Sequence, residues 1–196
     1  MEAIKLANTH PRVNIHLPGP GVGGPCLPKE PYFLIYKSKP PRPNLIATSR
    51  KINDYMPSHI IETILTALEK AGKNIKTAKI AVLGTAYKKN VDDSRLSPAQ
   101  PIIKTLLKLG LKTVAYDPKC EESFGAEKAE SLDAAAKKAD CILILTDHKK
   151  FKHLRLNEIR QNMNPNPIIV DTSRVIDKDE ATKLGFKYYG LGNKSP

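Results

Sequence analysis

The chain has 196 residues, of which 40% are hydrophobic and 27% are charged, an ordinary balance for a globular protein that buries a core. Its 32 Lys and Arg against 20 Asp and Glu give a net charge of +12, which indicates either an anionic partner or a generally lysine-rich surface. The sequence has no apolar run of about 18 residues, no signal-peptide pattern and no aromatic-basic stripe, so we expect a cytoplasmic protein that binds neither membranes nor nucleic acid.

Residues 1–43 carry two short helical patterns and, between them, a loop rich in glycine and proline. Residues 2–8 predict a helix that ends before the His10-Pro11 step. The loop PGPGVGGPCLPKEPYF spans residues 18–33, a short helix follows through YFLIYK, and a proline-rich break lies at residues 40–43. This loop is the most unusual segment of the chain because it places a cysteine among glycines and prolines.

Residues 44–73 predict one long amphipathic helix. Apolar residues recur there mostly at steps of four, at Leu45, Ile52, Met56, Ile60, Ile64 and Leu68. Pro57 is expected to kink this helix near its middle, and Gly72 is expected to stop it. The pattern then changes character, so we predict a domain boundary between residues 75 and 76.

From residue 76 onward, strand and helix patterns alternate. Buried strands are predicted at KIAVLG, TVAYD, CILILT and PIIVDT. Helices are predicted after the Ser97-Pro98 cap, in SLDAAAKKA and in LNEIRQNM. This alternation predicts a doubly wound parallel α/β domain over residues 76–196, preceded by a helical segment over residues 1–75.

The first strand of this domain runs into KIAVLGTAYKKN, which begins like a dinucleotide-binding turn. It has one glycine where G-x-G-x-x-G has three, so the domain is not expected to bind NAD in the standard way. Ligands bind at the carboxyl ends of parallel strands, where Tyr87, Lys88 and Arg95 can meet a phosphorylated ligand. Polar residues that follow the other strands should reach the same edge, although singly each is more often a capping or solvated residue: Asp117, residues 146–148 and residues 171–174.

The three cysteines include no C-x-x-C pair, so neither a disulfide framework nor a metal site is expected. Cys141 lies in an apolar run and should be buried, and Cys120 follows a turn. Cys26 follows a cluster of glycines and precedes Lys29, a cation that favours a thiolate and hence nucleophilic chemistry. On spacing alone, a nucleophile and an inert thiol in a tight turn both remain open.

Two motifs resemble those of the UDP-glucose/GDP-mannose dehydrogenase family. GPGVGGPCLPKEPYFL resembles its catalytic-cysteine loop, and KIAVLGTAYKKNVDDSRLSPAQPIIKTLLKLG followed by VAYDP resembles the start of its UDP-binding domain. HPRVNI with PGPGVGG is closer to the branch that oxidises UDP-N-acetylmannosamine than to UDP-glucose dehydrogenases, whose loop typically reads GFGGSC. The resemblance implies oxidation of a sugar C6 alcohol to a carboxylate by two NAD molecules, through a cysteine thiohemiacetal and thioester. UDP-glucose oxidation is the alternative.

By this resemblance Cys26 would be the nucleophile, in a catalytic loop that also holds Lys29 and Glu30. The family has aspartate where Glu30 stands, and commonly glutamate where Leu96 stands. The family's other functional positions fall on substrate-binding candidates: Arg12, Gly23, Gly24, Tyr87, Lys88, Arg95 and Arg174, of which Arg174 would also lie near the cofactor.

Family members carry an NAD-binding domain N-terminal to the segment that these residues resemble. The resemblance therefore implies that NAD is bound mainly by that domain and that this chain alone does not turn over. The helix predicted at residues 44–73 resembles the family's dimerisation helix, although a helix that only links two domains fits the pattern equally well. A non-catalytic module that binds UDP or a UDP-sugar, free-standing or complemented in trans by a separate NAD domain, is the competing hypothesis.

Overall fold

The computed structural model describes residues 2–41 and 43–192. The described residues do not include the outer ends of the two predicted domains, which are Met1 and residues 193–196. They also do not include Arg42 of the proline-rich break. The helices are α1 Glu2–Ala7, α2 Glu30–Lys37, α3 Asn44–Lys70, α4 Ala99–Lys108, α5 Leu132–Ala136, α6 Leu156–Asn162 and α7 Lys178–Lys183, with a 3₁₀ helix at Lys149–His153. The strands are β1 Lys79–Leu83, β2 Lys112–Tyr116, β3 Glu127–Lys128, β4 Cys141–Ile144, β5 Ile168–Asp171 and β6 Lys187–Gly190.

The six strands form one parallel sheet in the order β3-β2-β1-β4-β5-β6. This arrangement confirms the predicted doubly wound α/β fold. The direction of strand succession reverses between β1 and β4, and such a reversal opens a crevice at the carboxyl ends of the strands. Ligand chemistry is therefore expected at that edge.

Both faces of the sheet are covered by helices, and alternate strand residues point to opposite faces. Ile80 and Val82 pack in the core formed with α3 and α4, while Ala81 and Leu83 pack in the core formed with α5, α6 and α7. Strands that are buried on both faces have continuous apolar sequences. This is why KIAVL and CILI, rather than alternating patterns, mark the centre of the sheet.

The long helix α3 has two halves with different surroundings. Ile60, Ile64 and Leu68 in its second half are fully buried and belong to the same core as the sheet. Leu45 and Ile52 in its first half are 80% and 60% exposed. The second half is therefore packed as part of the α/β core, although it precedes the boundary predicted after residue 75, and that boundary stays a prediction.

The predicted helix range 44–73 is three residues too long, because α3 ends at Lys70. Gly72 adopts a positive φ of 69°, and the Lys73 amide donates a hydrogen bond to the Leu68 carbonyl at 2.9 Å. These are the features of a glycine-terminated Schellman motif, in which amides beyond the end of the helix donate to carbonyls of its last turn. Pro57 lies inside α3, and the kink expected there stays a prediction.

Some elements differ from the sequence patterns. Helix α4 begins at Ala99 with Pro98 at its N-cap, so the predicted cap was one residue out, although the Ser97 hydroxyl does accept a hydrogen bond from the Ala99 amide at 3.2 Å. Ser131 caps α5 as expected, by accepting from the Ala134 amide. The patterns missed two edge strands, β3 and β6, one short helix, α7, and the 3₁₀ helix.

Helices α1 and α2 contain no buried residue, in contrast to the helices that cover the sheet. Phe33, Leu34 and Tyr36 of α2 are 66%, 61% and 84% exposed. In the part of the chain that the structure describes, no helix combines the length and apolar character that crossing a membrane requires.

Candidate functional site

The loop that follows β1, residues 84–98, forms the centre of the carboxyl edge of the sheet. It begins at Gly84, whose φ is +94° and where an added Cβ would lie 2.5 Å from the Thr146 Cβ. A side chain at position 84 therefore has no room, because Thr146, two residues beyond the end of strand β4, lies beside it. Glycine at this position therefore allows the loop after β1 to lie in close contact with the loop after β4.

The first turn of this loop binds a carboxylate of the protein itself. The amides of Thr85 and Ala86 donate to Asp117 Oδ2 at 2.7 and 3.0 Å, and those of Lys119 and Cys120 donate to Asp117 Oδ1 at 2.8 and 2.9 Å. In dinucleotide-binding folds, the turn after β1 offers its amides to a pyrophosphate. Because Asp117 already occupies these donors, the residues of the β1 turn do not fit NAD.

His148 completes this buried arrangement from the end of β4. Its Nε2 lies 3.0 Å from Asp117 Oδ2, and its Nδ1 accepts a hydrogen bond from the Asn90 amide at 2.9 Å. Because Nδ1 accepts, the proton of the neutral ring lies on Nε2 and is donated to Asp117. The side chains of Asp117 and His148 are each 1% exposed.

Burial of Asp117 by itself would raise the pKa of its carboxyl group. The hydrogen bonds from His148 and from the amides of Ala86, Cys120 and Lys119 outweigh burial, so the pKa of Asp117 lies well below its ordinary value. The carboxylate is therefore ionised at neutral pH and acts as a fixed acceptor.

The cysteine loop packs directly against the loop that follows β1. An added Cβ on Gly23 would lie 2.5 Å from the Leu96 carbonyl oxygen and 2.8 Å from the Tyr87 Cβ, and one on Gly24 would lie 2.7 Å from the Tyr87 ring. The Gly24 amide also donates to the Arg95 carbonyl at 2.9 Å. Both glycines are therefore required for close packing of the two loops, whereas their predicted role in holding the sugar stays a prediction.

The cysteine loop is also fixed on its other side, by α3. The Val22 amide donates to Asn53 Oδ1 at 2.8 Å, and the Tyr32 hydroxyl donates to Asp54 Oδ2 at 2.9 Å. The Arg50 guanidinium lies 5.9 Å from the centroid of the Tyr32 ring and pairs with Asp54. The exposed half of α3 thus supports the loop that carries the thiol.

Cys26 is exposed, whereas Cys120 and Cys141 are buried. The Cys26 carbonyl accepts hydrogen bonds from the amides of Lys29 and Glu30, both at 2.9 Å, which opens helix α2 directly after the thiol. The side chains of Lys29 and Glu30 are exposed. These three predicted catalytic residues therefore share one turn of backbone.

Arg95 directly precedes Leu96, one of the residues that contact the cysteine loop. Its Nη2 lies 2.6 Å from Asp93 Oδ2, and its Nε lies 3.0 Å from both carboxylate oxygens. The hydrogen bonds with Asp93 raise the pKa of Arg95. Arg95 is therefore a charged group whose guanidinium is already paired with a carboxylate of its own loop.

Three predicted residues remain, each in a different segment of the chain. Arg12 lies in an exposed loop, where its amide donates to His10 Nδ1 at 3.2 Å. Lys88 is exposed at the carboxyl edge of β1. Arg174 follows β5 with a φ of +53°, and its Nη2 donates to the Leu191 carbonyl at 2.6 Å.

Sequence patterns placed Asp117 and His148 at this edge but did not predict that they bond to each other. They also missed Asn53 and Asn90. Asn90 offered a signal, since asparagine tolerates its positive φ of 60° better than most residues do. Among residues 2–41 and 43–192, no group of three or more His, Cys, Asp or Glu side chains is arranged to hold a metal ion.

The sequence matches two family models in order. The model of the UDP-glucose/GDP-mannose dehydrogenase family, UDP binding domain, matches residues 81–178, and that of the same family's central domain matches residues 1–55. These ranges cover the β1, β2, β4 and β5 loops and the cysteine loop, which are the parts of the molecule that pack together at the candidate site.

Several proteins are similar to the chain over nearly its whole length. The UDP-N-acetyl-D-mannosamine dehydrogenase of Methanocaldococcus jannaschii is 40% identical over 194 residues, which cover 98% of this chain and 43% of the relative. The NDP-N-acetyl-D-galactosaminuronic acid dehydrogenase of Ralstonia solanacearum is 35% identical over 87% of this chain and 39% of the relative. The solved structure of a UDP-D-ManNAc dehydrogenase from Pyrococcus horikoshii matches with a TM-score of 0.85 and 42% identity, over 97% of this chain and 43% of that one. The chain thus spans less than half the length of these relatives.

Proposed function

Because the chain belongs to the UDP-glucose/GDP-mannose dehydrogenase family, we propose that it supplies the nucleotide-binding domain and the cysteine nucleophile for NAD-dependent oxidation of a UDP-sugar at C6. We propose UDP-N-acetyl-D-mannosamine as the sugar, since the relatives from M. jannaschii and P. horikoshii are named for that substrate. A UDP-N-acetylhexosamine of the galacto series is the closest alternative, in view of the R. solanacearum relative.

The packing of Gly23 and Gly24 on Tyr87 is the observation that carries this proposal. It brings the loop that carries an exposed thiol against the cationic loop that follows β1, which supports a site shared by the two loops. A UDP-sugar has a diphosphate at one end and the C6 carbon at the other, so one ligand can contact both loops. We propose that Lys88 and Arg95 face the diphosphate and that Cys26 faces C6.

The chemistry assigned to Cys26 is addition to an aldehyde at C6. The thiolate sulfur forms a bond to the carbonyl carbon, and the carbonyl π electrons move to oxygen, which takes up a proton to give a thiohemiacetal. At the thioester level, water adds to the same carbon and the sulfur leaves as thiolate. An exposed thiol suits these steps because sulfur both adds readily and leaves readily.

The hydride acceptor in this family is NAD, and the β1 turn does not fit it because Asp117 occupies the turn's amides. We propose that NAD is bound away from this turn. Arg174, at the end of β5, and Arg12, in the exposed N-terminal loop, are proposed to reach the ligand from neighbouring segments. As placed, Arg174 donates to Leu191, so this role requires its side chain to turn.

Calorimetric titration tests the nucleotide assignment. We expect the chain to bind UDP and to show no binding of NAD. Lys88→Ala should weaken UDP binding about tenfold or more, the size of one charge-assisted contact. Lys112→Ala is the matched control, since Lys112 is exposed at the opposite, amino edge of the sheet. A wild-type chain that binds no uridine nucleotide would refute the proposal.

We also propose that the first half of α3 mediates a homodimer. Leu45, Ile52 and Tyr55 are 80%, 60% and 52% exposed there, and their spacing places them along one face of the helix, as at an interaction surface. Sedimentation should therefore show a dimer that Ile52→Asp shifts toward monomer. Leu109→Asp, at an exposed position beyond α4, should leave the sedimentation unchanged. A monomeric wild-type chain would contradict this part of the proposal.

A non-catalytic UDP-binding module is the second candidate function. The observation that favours it is the core of the α/β domain, which is built without any side chain of the cysteine loop. Such a module would bind UDP as above but would give Cys26 no reaction with a sugar aldehyde. The two functions therefore differ in a covalent adduct, not in affinity.

A further inference from the structure

The buried pair Asp117 and His148 holds the loop after β1 at two separate places. At the start of the loop, the Thr85 and Ala86 amides donate to Asp117 Oδ2. Four residues further on, the Asn90 amide donates to His148 Nδ1. The bond between His148 Nε2 and Asp117 Oδ2 at 3.0 Å joins these two anchor points into one unit.

Neighbouring groups reinforce the same two points. The Thr146 hydroxyl donates to the Ala86 carbonyl at 2.8 Å, and the Lys149 amide donates to Asn90 Oδ1 at 3.1 Å. Between the two points lie Tyr87, which packs on the glycines of the cysteine loop, and Lys88, which is exposed at the strand end. Three of the groups that hold this short span, the side chains of Asp117, His148 and Thr146, are buried.

We propose that Asp117 and His148 are positioning residues, which together fix the span from Thr85 to Asn90 so that Lys88 and the docked cysteine loop face one UDP-sugar. Neither residue touches the ligand, and the proposal rests on the function proposed above. Their effect is to keep the loop in the binding-competent conformation before the ligand arrives. Without them only a fraction of the molecules would be competent, and the measured affinity would fall in proportion to that fraction.

The negative charge of Asp117 has a second consequence for specificity. The amides of Thr85 and Ala86 are the donors that a phosphate would use in a turn of this kind. With a carboxylate already bound there, a second anion is repelled from the turn. The diphosphate of the ligand is therefore directed to the outer side of the loop, where Lys88 lies.

Asp117→Asn is the primary test, because it keeps the shape of the side chain and removes its charge. An asparagine offers one acceptor oxygen and one amide nitrogen, so it cannot serve all the donors that Asp117 accepts. We expect UDP to bind about tenfold more weakly to the folded variant, because its loop should be in the binding-competent conformation in only about a tenth of the molecules. UDP affinity within twofold of wild type in the folded variant would overturn the proposal.

Asp140→Asn is the matched control for loss of a buried carboxylate. Asp140 accepts from the Lys79 amide at 2.9 Å and pairs with Lys73 at 2.7 Å, at the amino edge of the sheet. This variant should lose stability but bind UDP within twofold of wild type. An equal loss of UDP affinity in both variants would show general destabilisation and would overturn the positioning role.

Two variants of His148 separate the anchor points and remain informative if Asp117→Asn does not fold. His148→Gln keeps a donor near the ring Nε2 position but removes the acceptor for Asn90, whereas His148→Asn keeps that acceptor and removes the donor to Asp117. Amide hydrogen exchange should be at least tenfold faster at Asn90 in His148→Gln, with Thr85 and Ala86 still protected. In His148→Asn, the faster exchange should fall on Thr85 and Ala86.

Unchanged exchange at these three amides in both His148 variants would overturn the proposal. The exchange measurement uses no nucleotide, so it separates this inference from the proposed function. If the wild-type chain binds no UDP, the proposed function fails, while the exchange rates still decide whether the pair holds the loop.

Discussion

Residues 2–55 and residues 60–190 are built in opposite ways. The first region has exposed apolar side chains on both α2 and the first half of α3, and it is held by a few hydrogen bonds such as that from Val22 to Asn53. The second region buries both faces of a six-stranded sheet. Cys26 therefore lies in the sparsely packed region, and the carboxyl edge of the sheet, where we propose that the nucleotide binds, lies in the densely packed one.

This contrast shows how a weakly packed loop can still be placed accurately. Gly23 and Gly24 have no side chains, so their backbone comes into contact with Tyr87 and Leu96 of the densely packed region. Tyr87 in turn lies between Ala86, whose amide donates to Asp117, and Asn90, whose amide donates to His148. The loop that carries the thiol is thus positioned by contacts with the sheet domain as well as by its hydrogen bonds to α3.

Core truncation should separate the two regions most strongly. Leu68→Ala removes a fully buried side chain and should lower the free energy of unfolding by about 2–5 kcal/mol. Leu34→Ala removes a side chain that is 61% exposed and should change the free energy of unfolding by under about 0.5 kcal/mol. Urea denaturation measures both, and equal losses would contradict the contrast between the regions.

Gly23→Ala tests the contact that joins the regions. The new Cβ would lie 2.5 Å from the Leu96 carbonyl oxygen, so the cysteine loop should detach at a cost of about 1–3 kcal/mol. We expect the Gly24 amide, which donates to Arg95, to lose its protection from hydrogen exchange. Gly19→Ala is the control, since nothing lies within 4 Å of its added Cβ. Continued protection of Gly24 in Gly23→Ala would show that the loops are not tightly packed.

The two regions should also differ in their response to acid. Burial by itself would raise the pKa of Asp140, but the hydrogen bonds from Lys73 and the Lys79 amide hold this pKa below its ordinary value. A lowered folded-state pKa stabilises the protein above the unfolded pKa of about 4, and this contribution is lost as the pH falls further. Asp117 acts in the same direction, whereas burial raises the pKa of Asp171, which favours folding as the pH falls.

Asp140→Asn should therefore cost about 1–3 kcal/mol at neutral pH, by loss of its charged hydrogen bonds, and less at pH values below about 4. Asp54→Asn in the exposed half of α3, where the carboxylate is 48% exposed, should cost less at either pH. Urea denaturation at two pH values gives both differences. A cost of Asp140→Asn that does not shrink in acid would contradict this electrostatic account.

The densely packed region was largely predictable from sequence because buried parallel strands have continuous apolar runs. The exceptions have physical reasons: β3 consists of Glu127 and Lys128, both exposed, and β6 is a short edge strand whose residues KYYG carry little apolar pattern. The cysteine loop was recognised by its motif, and its exposure is consistent with a reactive thiol.

The relation between the two loops was beyond sequence patterns. Tyr87 and Gly23 are 64 positions apart, and periodicity reports only local structure. The same holds for Asp117 and His148, which lie after different strands and meet only because β2 and β4 are both neighbours of β1. The residues at the strand ends could be predicted, and their hydrogen-bond partners could not.

The most direct test of Cys26 as a nucleophile uses a UDP-N-acetylmannosamine derivative whose C6 carbon is a ¹³C-labelled aldehyde, with no NAD present. We expect the wild-type chain to produce a thiohemiacetal carbon signal at the expense of the aldehyde and its hydrate. Cys26→Ala should abolish this signal, because Cys120 and Cys141 are buried. An adduct that persists in Cys26→Ala, or a wild-type chain that binds the compound without forming an adduct, would contradict the account.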